Sequence, residues 1–85
     1  KSNIHRVAEA IYKTYLEGKS IELQAIGGGA VNQAAKSIAI ASGKLSTAGW
    51  HISVIIGFRD IPDEIKGTIS ALNFSLIDMH GAHNG

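Results

Sequence analysis

Apolar residues recur at helical spacing in the first part of the chain. Ile4, Val7, Ala8, Ile11 and Tyr15 fall on one stripe that Tyr12 and Leu16 widen, which predicts an amphipathic helix over residues 3–17. Ser2 or Asn3 is placed to cap its start by accepting from an orphan backbone N–H. Glu9 and Lys13 stand at the i,i+4 spacing of an ion pair, and Gly18 suits the left-handed position that ends a helix. From residue 20 the period falls to two. Ile21, Leu23 and Ala25 alternate with Glu22 and Gln24, as in a strand over 20–26 with one buried face. Gly27, Gly28 and Gly29 interrupt the pattern, and helical spacing returns with Val31, Ala34, Ala35, Ile38 and Ala41. This second helix, predicted over 30–42 with Gly43 as its stop, is poor in large side chains and in charge.

After a loop at 44–49, strict alternation over 50–58 puts Ile52, Val54, Ile56 and Phe58 on one face of a strand. Residues 59–66 carry the only proline, Pro62, with Asp60, Asp63 and Glu64, and read as a hairpin loop. The returning strand, 67–78, changes phase between Ile69–Ala71 and Leu72–Phe74–Leu76, which predicts a β-bulge near 71–73. The order is α-β-α-β-β: a two-layer α+β fold with both helices on one face of a small mixed sheet. No strand-like run precedes the first helix; one there would complete a β-α-β-α-β-β layout. Residues 1–79 form the expected single domain and 80–85 a loose tail.

Composition narrows the classes. Eighty-five residues with 45% hydrophobic and 18% charged side chains fit one folded domain with a modest core. The absence of cysteine rules out disulfides and thiolate metal sites. No apolar run has the length of a membrane span, no signal peptide is visible, and a membrane partner is not expected. The first residue is Lys1 rather than Met, as in a fragment or a processed product, and an intracellular setting is expected. The net charge is only +1, but residues 1–59 hold seven basic and three acidic residues, whereas 60–85 hold one basic and four acidic. That split points weakly to a polyanionic partner for one face.

A strand, then glycines, then a helix start offers backbone N–H groups and the positive end of a helix dipole to an anion. A tight structural turn uses the same residues. Asn32-Gln33-Ala34 stand where a Walker A loop needs Gly-Lys-Ser/Thr, and Asn32 stands where a dinucleotide fingerprint needs its third glycine. Asn32, Gln33 and Lys36 form either the polar lip of an anion site or an ordinary solvated helix face. Lys1, Arg6, Lys19, Lys44 and Arg59 could extend a basic track. His80-x-x-His83 has ligand-like spacing without a third ligand, and Asp60, Asp63 and Glu64 lack EF-hand spacing. No nucleophile elbow or paired catalytic carboxylates appear, so neither enzymatic activity nor a cofactor is expected. Trp50 and Phe58 read as core or interface residues rather than base-stacking platforms.

The run "IELQAIGGGAVNQAAKSIAIASG", followed by "HISVIIGFRDI", resembles the stage V sporulation protein S family over roughly residues 1–61. That family is similar to the Alba superfamily of small DNA- and RNA-binding proteins. The resemblance implies a β-α-β-α-β-β fold, usually dimeric, with nucleic acid on a basic surface. It places Lys1 before the first helix, Gly27, Gly28, Gly29, Asn32, Gln33 and Lys36 on the turn and second helix, and Arg59 and Lys66 beside an arm between the last strands. Asp60, Asp63 and Glu64 depart from that pattern, since they would repel a phosphate backbone. The expectation is a non-enzymatic module for RNA or DNA, acting as a homodimer or in a larger assembly. The alternative is a structural subunit, possible in a ribonucleoprotein, that associates through the small-residue second helix. A small-anion or nucleotide sensor at the glycine turn is a third reading.

Overall fold

The computed structural model describes residues 3–78; Lys1, His80 and His83 lie outside them. The elements are α1 (Ile4–Leu16), β1 (Ile21–Ala25), α2 (Gly28–Ser46), β2 (Ile52–Asp63) and β3 (Gly67–Asp78). This is the α-β-α-β-β order of the sequence pattern. Asn3 is the N-cap of α1, its side-chain oxygen accepting from His5 N at 3.0 Å and Arg6 N at 3.2 Å. Gly18 adopts φ 77° just past the helix.

The sheet order is β1-β3-β2. Both pairings are antiparallel, so the sheet is not mixed: β1 and β2 run parallel but β3 separates them. The connection through α2 is therefore a crossover with a third strand inserted. Ile21, Leu23 and Ala25 stand opposite Leu76, Phe74 and Leu72, and Phe74 stands opposite Ile56. These residues line the face turned to the helices. Ala8, Ile11, Tyr15, Ile21, Ala25, Ile38, Ala41, Leu45 and Phe74 make one buried cluster. Trp50 packs against it and meets the Tyr15 ring edge-on, with centroids 5.6 Å apart.

Three boundaries differ from expectation. The second helix begins at Gly28 and runs through Gly43 to Ser46. An exposed mid-helix glycine costs about 1 kcal/mol relative to alanine, and burial of Leu45 on the following turn outweighs it. The left-handed position falls instead at Gly49, φ 87°. Strand β2 does not stop at Phe58 but continues to Asp63, leaving only 64–66 as the turn. Pro62 is tolerated because β2 is an edge strand, where a missing N–H costs no ladder bond on the outer side. The pairing from Ile52↔Asp78 to Asp63↔Gly67 is continuous, so no bulge is present. The phase change at 71–72 is a change of face: Leu72, Phe74 and Leu76 turn to the helices, whereas Ile69 and Ala71 turn to the other side, where Ala71 is buried without helical cover.

The expected Glu9–Lys13 pair is replaced by a tertiary one. Lys44 Nζ donates to Glu9 Oε1 at 2.6 Å and lies 4.7 Å from the centre of the Tyr12 ring, clasping α2 to α1. The hydrogen bond from Lys44, and then its charge, hold the Glu9 carboxyl below its ordinary 4.5. A carboxyl depressed in the folded state contributes stability that is complete above its unfolded value and lost as pH falls through its folded one. The gap in melting temperature between wild type and Glu9→Gln should therefore be widest near neutral pH and close below about pH 4. A gap independent of pH would show that the pair does not act through the Glu9 charge.

Candidate nucleic-acid interface

The three glycines have separate roles. Gly27 takes φ 90° and ψ 153° as the N-cap of α2, a backbone that other residues rarely adopt. Gly28 and Gly29 are different. Neither has a positive φ, and a Cβ on either would meet nothing within 4 Å. Neither turn geometry nor close packing requires glycine there, and glycine is the poorest non-proline residue inside a helix. What their lack of side chain does is leave the first N–H groups of α2 uncovered. Residues 26–30 are all exposed.

The two helix starts contrast. Asn3 satisfies two orphan donors of α1, whereas α2 has no side-chain cap; neither helix has an acidic residue in its first turn. The first backbone bond of α2 is from Val31 N to Gly27 O, 3.0 Å. The N–H groups before Val31 face solvent at the positive end of a helix of nineteen residues, the arrangement that receives anions.

Asn32 and Lys36 are exposed one turn apart on α2, so the structure brings them together beside this terminus. Gln33 points elsewhere: half-buried, it lines a cavity of about 190 Å³ with Val7, Gln24, Ala30 and Ser37. It belongs to the seam between α1, β1 and α2. Because Val7 shares that cavity with Ala30, the starts of both helices adjoin, and exposed Arg6 stands at the same end.

Charge pairing sorts the cations. Lys19 pairs with Glu17 at 3.3 Å, Lys44 with Glu9, and Arg59 with Glu22 at 3.5 Å. Among the described residues Arg6, Lys13, Lys36 and Lys66 have no carboxylate within 4.0 Å. The helical layer thus keeps a positive surplus. Asp60, Asp63 and Glu64 cluster toward the hairpin tip, where Asp63 Oδ2 accepts from Ile65 N at 3.1 Å and Lys66 N at 2.8 Å. Asp60 Oδ1 accepts from Ser70 Oγ at 3.4 Å.

The hairpin stands at the same end as the glycine turn, because Ala25 is level with Leu72 and Phe58. Five more residues of β2 extend past that level, roughly 16 Å at strand rise. On this arm Phe58 is 82% and Ile65 92% exposed. Phe58 does share a face with Val54 and Ile56, as the alternation predicts, but no helix reaches that far. Among the described residues no group of three or more metal-ligating side chains comes together, and no helix is long and apolar enough to cross a membrane.

Fold and site together define a two-layer α+β domain with an uncapped, glycine-built helix terminus beside unpaired cations. The chain belongs to the stage V sporulation protein S (SpoVS) family, whose model matches residues 1–78.

Proposed function

We propose that the domain is a non-enzymatic nucleic-acid-binding module. A phosphate sits on the N–H groups of the Gly27–Gly29 turn, with Asn32 and Lys36 beside it and Arg6 at the neighbouring helix start. The observation that carries this reading is that Gly28 and Gly29 serve neither backbone conformation nor packing. Contacts of this kind position a backbone without reading sequence, which suits RNA and DNA alike. The modest cation surplus gives modest affinity per protomer. Lys36→Ala should lower the slope of log K against log salt by about one unit and weaken binding similarly across sequences. Fluorescence anisotropy with labelled RNA and DNA measures this, and an unchanged slope would remove Lys36 from the interface.

A second copy of the chain is the partner favoured by the apolar surface. Exposed Ile56 and Phe58 border a groove of about 200 Å³ formed by Ala35, Ile38, Val54, Ile56 and Phe74. A ring protruding beside an unfilled groove is self-complementary about a two-fold axis. Association here agrees with the reading of the domain as an assembly subunit, and it leaves the glycine turn free. Phe58→Asp should convert a dimer to monomer in analytical ultracentrifugation without unfolding it. A wild-type protein that sediments as a monomer at the concentrations used for binding contradicts this association.

A further inference from the structure

On the proposal that this end of the domain binds nucleic acid, we infer that Arg59 is a phosphate contact held in reserve by Glu22. Strand alternation puts Glu22 and Gln24 of β1, Ala71, Asn73 and Ser75 of β3, and Gly57 and Arg59 of β2 on the sheet face away from the helices. In the register Arg59 stands opposite Ala71 and Glu22 opposite Ser75. The Arg59–Glu22 ion pair, 3.5 Å between Nη2 and Oε1, therefore runs diagonally across β3, and Asn73 lies under the diagonal.

The direction of that diagonal matters. Phe58 is level with Ala25, so Arg59 is level with Ile26, one residue short of Gly27. Its backbone is at the glycine-turn end of the sheet, about two strand spacings or 10 Å across. Its guanidinium is drawn back toward the middle of the sheet by Glu22. Releasing it would add a donor-rich cation to Arg6 and Lys36 at the same end as the α2 terminus, on the opposite face of the sheet.

Asn73 keeps a polar side chain on the face that the ion pair crosses. It is only 8% exposed although no helix covers this face. Its Nδ2 donates to Ser75 Oγ at 3.2 Å, while its buried Oδ1 has no partner. A buried acceptor left unpaired is unfavourable. Opposite it, Gly57 has open space where a side chain would stand. The pair that must break is itself weak, because both side chains are about half exposed. A phosphate therefore competes against a small barrier and gains a bidentate donor.

The test is a double-mutant cycle in nucleic-acid affinity, measured by anisotropy at two salt concentrations with one labelled single-stranded RNA and one DNA duplex. Glu22→Gln should bind several-fold more tightly, with a log K–log salt slope steeper by about one unit. In the Arg59→Ala background the same substitution should give no gain. A gain of equal size in both backgrounds overturns the latch, because Glu22 then acts only as a repelling charge. No gain in either background, with Lys36→Ala still lowering the slope, overturns the latch and leaves the glycine-turn reading standing. Absence of binding by all the proteins overturns both.

Discussion

Replacing Gly29 by aspartate is expected to make the domain more stable and to weaken its binding to nucleic acid by roughly tenfold or more. Gly29 is the second residue of α2, its φ is ordinary, and a Cβ there meets open space. An aspartate fits without strain. It supplies the acidic residue that the first turn lacks, and interaction with the helix dipole stabilises by about 0.3–1 kcal/mol. Relief of the glycine propensity cost adds a few tenths. The same carboxylate occupies the place proposed for phosphate and repels its neighbours, so affinity should fall roughly tenfold or more. Gly29→Ala separates the two effects: it should stabilise by up to about 1 kcal/mol and keep affinity within a few-fold. Chemical denaturation and anisotropy on the same samples read both quantities. Unchanged affinity in Gly29→Asp would remove the helix terminus from the interface.

Leu45→Ala carries the largest expected effect on stability. Leu45 is fully buried, at 0% exposure, in the last turns of α2, where it anchors the segment that follows Gly43. Truncating a buried leucine to alanine costs about 2–5 kcal/mol, depending on how far the site collapses. Domains have about 0.05–0.15 kcal/mol of stability per residue, so a chain of 85 residues would lose a large share of its total. Urea denaturation should show a much lower midpoint with nearly the same slope. The fraction that remains folded should bind nucleic acid normally, since Leu45 is remote from the glycine turn. A loss under about 1 kcal/mol would mean that the helix does not depend on its C-terminal anchor.

Periodicity made the inner half of this fold legible. The stripe from Ile4 to Tyr15 and the alternation from Ile21 to Ala25 each face one layer, so local pattern and tertiary burial agree. The hairpin was less legible because Pro62, Asp60 and Asp63 are loop residues by composition, yet an edge strand beyond the core accepts all of them. The phase change at Ala71 resembled a bulge because apolar residues were assigned to a single face. In fact Ala71 is buried on the face away from the helices. Gly43 looked like a terminus because its cost is local, whereas the burial of Leu45 that overrides it is tertiary.

The site was partly legible for the same reason. The order strand, glycine, helix and the nearby Lys36 could be read directly. That Gln33 turns into the seam with Val7 depends on where α1 packs. That Lys44 and Arg59 are tied to Glu9 and Glu22 depends on partners 35 and 37 positions away in the chain. Spacing carries no trace of such pairs.

The central claim is that an uncapped α2 terminus and its cations bind the phosphate backbone. The most direct measurement is a titration of wild type, Lys36→Ala and Gly29→Asp against labelled RNA and DNA over a series of salt concentrations. The account expects wild-type affinity to fall linearly in log K against log salt, Lys36→Ala to reduce the slope by about one unit, and Gly29→Asp to bind both polymers more weakly by roughly tenfold or more. Wild-type protein that fails to bind either polymer at low salt, or binding that Gly29→Asp leaves intact, would contradict it.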